Sequence, residues 1–167
     1  MHAYDELAAH GMEFSLAALN EACEKAVEGL QVSGATGVVK ALQMVQHQKA
    51  VLAVGMFSMF EAMLQDGLKC TNGFREAIAR LDAKGATLLR ESFSDMQLAI
   101  NVLKHGRGRS YDALVDKASS LPFRVKLPDE HFFSEGDLSE VATLIDVDDA
   151  FVRRCAAVIR EVTVALG

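Results

Sequence analysis

One short stretch of this chain gathers the side chains that acid–base and phosphate chemistry use: Ile100-Asn101-Val102-Leu103-Lys104-His105-Gly106-Arg107-Gly108-Arg109. An imidazole such as that of His105 can take or give a proton near neutral pH. Asn101 precedes it by four residues, so on a helix the amide and the imidazole share one face. Lys104 adds a cation beside the ring. Arg107 and Arg109, separated and flanked by glycine, make a mobile loop whose guanidinium forks suit phosphate oxygens. Anion binding at Lys104, Arg107 and Arg109, with RNA or a nucleotide as the ligand, is the chemistry this spacing suggests. A lone His in a terminal turn is equally a solvated surface residue.

Other candidates are weaker. Gly34-x-x-Gly37 lacks the Lys-Ser/Thr of a phosphate-binding loop and follows no strand. Asp146, Asp148 and Asp149 are hard-cation donors, but helix capping accounts for the last two and no calcium-loop glycine or distal Glu follows. Neither a metal nor a cofactor is expected. Glu61, within the apolar run Phe57-Ser58-Met59-Phe60-Glu61-Ala62-Met63-Leu64, reads as a partly buried carboxylate that takes a donor from Asn101 or Lys104, or else as a rim residue with its head in water. His47 and His131 have no evident partners.

The elements that must position these groups are helices. Met12, Leu16, Leu19, Cys23, Ala26 and Leu30 step by four and three, the stripe of a helix over about 4–31. After the break at Ser33–Gly37 a second helix runs from about 37 to 68. Its stripe of Val38, Leu42, Val45, Leu52, Met56, Met59 and Met63 crosses the dense apolar run 50–60, which predicts burial on several sides. Asn72 is placed to cap a short helix over 73–83, which ends near Gly85. The next stripe, Leu89, Phe93, Met96, Ile100 and Leu103, leads to His105, with Gly106 suited to a C-cap. Ser110 can cap a further helix, 111–119. Phe123, Val125 and Leu127 alternate between two prolines and predict a short extended arm that Thr143–Val147 can pair with. A final helix, about 148–166, starts at Asp148 or Asp149. The expected fold is therefore an all-α bundle of four main helices plus short ones, in one domain spanning 1–167, with a small extended excursion at about 121–147.

Composition sets the outer bounds. With 167 residues and 50% hydrophobic content, one domain with a sizeable core is the natural size. A net charge of −6 argues against indiscriminate coating of nucleic acid. The charge is uneven, however. Lys104–Lys126 carries a local balance of +4, whereas 129–149 holds eight acids and no Lys or Arg. Either the acidic segment closes onto the basic one, or it screens an anion-binding loop from indiscriminate partners. Cys23, Cys70 and Cys155 form no metal or disulfide spacing, which suits a reducing cytoplasm. No signal peptide and no apolar run of about 18 residues is visible, so a soluble protein without a membrane partner is expected. The apolar run 50–60 exceeds what a bundle this small readily covers, and that predicts a homodimer.

The run Phe57–Leu64 and the helix ending in Asn101-x3-His105-Gly106 together resemble the HEPN superfamily of small, dimerising helical bundles, many of them RNA-associated and at work in microbial defence or toxin systems. The resemblance covers about 38–111. Its usual signature is an Arg, a polar residue, a few more residues and a His, and two subunits line a cleft that cuts RNA without a metal. On this sequence Asn101 matches the polar position and His105 the His, while the Arg position holds Ile100. The resemblance implies His105 and Asn101 as catalytic residues and, if the site is active, a metal-independent endoribonuclease. Without the Arg a cation is missing where a charged phosphorane needs one, so the expectation is an altered, inactive site. A dimerisation or partner-binding module with no nucleic-acid role is the alternative.

Overall fold

The computed structural model describes residues 2–32, 36–130 and 143–167. Six α-helices account for most of them: α1 (His2–Val32), α2 (Thr36–Leu68), α3 (Gly73–Ala83), α4 (Thr87–His105), α5 (Arg109–Val115) and α6 (Asp149–Leu166), with a single 3₁₀ turn at Ala118–Ser120. The all-α bundle read from the stripes is what forms. Predicted and observed helix ends agree to within about two residues, except in the segment after His105. There the helix begins at Arg109, with Gly108 rather than Ser110 at its N-cap, and stops at Val115.

Local chemistry explains the boundaries. The Asn72 side chain accepts from Arg75 N at 2.9 Å and starts α3. The Asp148 carboxylate accepts from Phe151 N at 2.7 Å and starts α6, where it also meets the positive end of the helix. Gly85 and Gly106 carry positive φ at the ends of α3 and α4.

The long α1 and α2 lie antiparallel. Tyr4 Oη donates to the Met56 carbonyl at 2.8 Å near one end of the pair, and Gly29 meets Val38 near the other. α3, α4 and α6 pack on the inner side of α2, and α6 also packs on α1. The core centres on Phe57, Phe60, Phe74 and Phe93, whose rings meet edge-on or stacked at centroid distances of 5.4–6.2 Å. Met12, Leu16, Met96, Ile100, Cys155 and Ile159 from the predicted stripes are buried around them.

One expectation needs correction. Met59 and Met63 belong to the predicted α2 stripe, yet Met59 is 61% exposed and Met63 is also exposed. α2 is buried on its inner side alone, because α1 and α6 cover one flank, α3 and α4 the other, and no described element lies over the outside. In addition, α2 is long and apolar enough to cross a membrane by length and composition, alone among the described helices, although interruptions kept it below the run length sought in the sequence. Here Phe57, Phe60 and Lys49 bind it into the bundle.

The extended arm is present in minimal form. Val125 and Ile145 make one antiparallel bridge, with Lys126 N donating to Leu144 O at 2.9 Å and Asp146 N to Arg124 O at 3.1 Å. Phe123 stacks edge-on against Phe151 of α6. Much of the acidic segment, including His131, lies outside the described residues.

Candidate functional site

α4 carries the predicted site to its C-terminal end. Phe93, Met96 and Ile100 pin its inner face in the core, and the helix then runs out to the surface, so Asn101 is half-buried and His105 exposed. Gly106 N–H closes the last turn on the Val102 carbonyl at 2.8 Å. Gly106 (φ +73°) and Gly108 (φ +156°) then turn the chain into α5 through backbone conformations that residues with a Cβ rarely adopt. One side chain of this loop rests on the helix that follows it. The Arg107 guanidinium lies 5.2 Å above the Tyr111 ring, and buried Tyr111 donates its hydroxyl to the Lys126 carbonyl at 2.6 Å.

The basic stretch divides in two. Lys117 is paired with Asp95 of α4, and Arg124 with Glu130 of the acidic segment at 2.7 Å. The Glu130 carboxyl is held below its ordinary value, first by the Leu127 N–H and then by Arg124. Lys104, Arg107 and Arg109 are all exposed, and among the described residues they form no ion pair.

Ile100 sits where the motif would have its Arg. It is 3% exposed, packed in the core with Phe93 and Met96, and no cation at this Cα could face solvent without repacking. Glu61 is half-buried and makes no hydrogen bond or ion pair among the described residues. Asn101 and Lys104 are not its donors, so the rim description is the correct one. Gly73 approaches the Glu61 backbone instead: a Cβ there would lie 2.6 Å from the Glu61 carbonyl oxygen.

The acidic candidates have structural roles. Asp148 caps α6. Asp149 lies 2.7 Å from Lys49 Nζ, accepts from Asn20 Nδ2 at 2.7 Å and stands 3.7 Å from Arg153, which also reaches Glu13. Burial pushes the Asp149 carboxyl up, but the hydrogen bonds from Lys49 and Asn20 and the neighbouring charges outweigh it and leave the carboxyl below its ordinary value. This junction of α1, α2 and α6 was missed in the sequence. Its signal was Lys49 standing directly before the apolar run, 7% exposed in the fold. Asp146 is shifted up by burial and by the Asp148 charge, against Arg124, at the edge of a cavity of about 630 Å³ between the arm and the start of α6. Among the described residues, no three His, Cys, Asp or Glu side chains come together to hold a metal. The Cys155 thiol is fully buried, and burial raises it far above the range of a reactive thiolate.

The arrangement can offer two guanidinium groups, an ammonium and an imidazole to an anion approaching one corner of the bundle. No family model, curated protein or solved structure matches this chain.

Proposed function

We propose that this chain is a HEPN-like, RNA-associated bundle that binds RNA at the Lys104–Arg109 loop without cutting it, acts as a homodimer, and belongs to a microbial defence or toxin setting. The observation that carries the reading is the contrast within the basic stretch. The cations at 117 and 124 are already spent on carboxylates, whereas those at 104, 107 and 109 stand exposed with no ion pair among the described residues. Guanidinium forks hold phosphate oxygens through paired N–H donors, and His105 adds a further donor. Cleavage needs more, namely a cation against the charge that builds on the phosphorane. The residue at that motif position is a buried Ile, so His105 and Asn101 are left to bind rather than to catalyse.

The test is a titration of single-stranded RNA at rising salt, comparing wild type with Arg107→Ala/Arg109→Ala. Removing two phosphate contacts should weaken binding at low salt and reduce the slope of log K against log salt by about 1.4. Unchanged affinity and slope would refute the loop as the RNA site. Incubation with RNA in EDTA should show no cleavage, and a cut that disappears in His105→Ala would refute the inactive reading.

A second reading, a partner-binding module without a nucleic-acid role, is favoured by the open apolar outside of α1 and α2. It is the one left if wild type fails to bind RNA even at low salt.

A further inference from the structure

The cavity of about 630 Å³ between the extended arm and the start of α6 has no part in the reading above, and none of its lining residues belongs to the 104–109 loop. Its volume is that of a small-molecule site. Leu121, Phe123 and Leu127 of the arm give it an apolar wall, and the Phe123 ring is fixed edge-on against Phe151 at a centroid distance of 5.3 Å. The chain entering α6 supplies the acidic part. There Ile145 and Val147 are buried in the core, while Asp146 and Asp148, each two residues on, line the cavity.

The charges of this lining do not cancel. Arg124 is bonded to Glu130, whose second oxygen accepts from Leu127 N at 3.2 Å. Asp148 gives Oδ1 to the Phe151 N–H as the cap of α6. Asp146 is half-buried and makes no side-chain hydrogen bond or ion pair among the described residues. Burial and the Asp148 charge both push its carboxyl up, and Arg124 offsets them only in part. One cation against three carboxylates leaves the cavity negative beside its apolar wall.

We infer that this cavity binds a small organic cation, a primary ammonium on a short hydrocarbon body, with the ammonium between the Asp146 and Asp148 carboxylates and the hydrocarbon on Leu121, Phe123 and Leu127. Each part of that ligand answers a feature of the lining. Residues two apart on extended chain have Cα atoms about 6.6 Å from each other, so both carboxylates can reach one ammonium, which has three N–H donors to share. A bare metal ion would gain nothing from the apolar wall, and a neutral ligand would leave the two carboxylates uncompensated. The cation comes from outside this part of the chain, since 129–149 contains no Lys or Arg. It can arrive on a free amine or on a lysine side chain, and the chemistry of recognition is the same.

Titration of the ¹⁵N-labelled full chain with n-butylammonium chloride at pH 7 and constant ionic strength, followed by amide NMR shifts, tests the inference. Saturable shifts should appear at residues 123–125 and 146–148 and leave 104–109 unmoved. Affinity should rise about threefold with each methylene from ethylammonium to n-butylammonium. Asp146→Asn, which keeps the shape of the side chain, should weaken n-butylammonium about tenfold without changing the far-UV circular dichroism. Leu127→Ala should weaken n-butylammonium about threefold and ethylammonium hardly at all. Nα-acetyl-lysine methylamide separates the two sources: tighter binding than n-butylammonium assigns the site to a lysine side chain, weaker binding to a free amine. Absence of saturable shifts from n-butylammonium up to about 50 mM overturns the inference. So does n-butanol binding as tightly as n-butylammonium, or an Asp146→Asn variant with wild-type affinity. Equal affinity for ethylammonium and n-butylammonium in wild type would reduce the cavity to a plain acidic surface and overturn it as well, whatever the variants do.

Discussion

Placing a cation at position 100 of α4 tests most directly the buried position of Ile100, on which the proposed lack of cleavage rests. Ile100→Arg puts a guanidinium where a 3%-exposed side chain packs against Phe93 and Met96. Losing the buried Ile forfeits about 2–3 kcal/mol. Holding the Arg head in the core, or moving neighbours to let it out, costs about 3 kcal/mol more. A loss of about 5 kcal/mol is comparable to the whole stability of many domains. With a urea slope of about 2 kcal/mol/M, the midpoint should fall by about 2.5 M or the variant should be unfolded in buffer. The assay is equilibrium urea unfolding followed by far-UV circular dichroism, at one fixed protein concentration because self-association adds to apparent stability. Ile100→Val is the control and should cost only about 0.5–1.5 kcal/mol. An Ile100→Arg variant whose midpoint stays within about 0.3 M of wild type would refute the placement of this residue in the core. If that variant also cut RNA in EDTA, and lost the cut on addition of His105→Ala, the site would be intact but for its cation.

Two further outcomes are expected. Gly73→Ala should lower the melting temperature by about 4–8 °C, a loss of about 2 kcal/mol, because the new Cβ would fall 2.6 Å from the Glu61 carbonyl oxygen and 2.8 Å from Leu64 Cβ; a raised melting temperature in a thermal scan, as helix propensity alone would give, would refute the close approach of α3 to α2. Asp149 titrates below its ordinary value in the fold, so the unfolded chain binds its proton at higher pH than the native chain does, and the stability it contributes is complete above about pH 4 and lost as pH falls through the folded value. Lys49→Met should therefore cost about 1–2 kcal/mol at pH 7, discounted for the partial exposure of Asp149, and much less at pH 3; an equal cost at both pH values in urea titrations would show that Lys49 acts through packing alone.

The apolar stripes of α1, α4 and α6, the caps at Asn72 and Asp148 and the turn at Gly106 could all be read from the sequence, because each depends on groups within a few residues of one another. The three–four period and a side chain's reach to its own backbone are local physics. The core position of Ile100 was legible for the same reason. What the period could not tell was which apolar residues of α2 would find a neighbour. Met56 and Met59 fit one stripe equally well, but α1, α3, α4 and α6 supply covering surface only on the inner side, so Met56 is buried and Met59 is left open. Pairing over long separations was equally hidden. Lys49 meets Asp149, and Lys117 meets Asp95, only after the helices have brought those side chains together. Local composition counted the charges from Lys104 to Lys126; tertiary packing alone decided that Lys117 is neutralised by Asp95 of another helix while Lys104, Arg107 and Arg109 stand exposed.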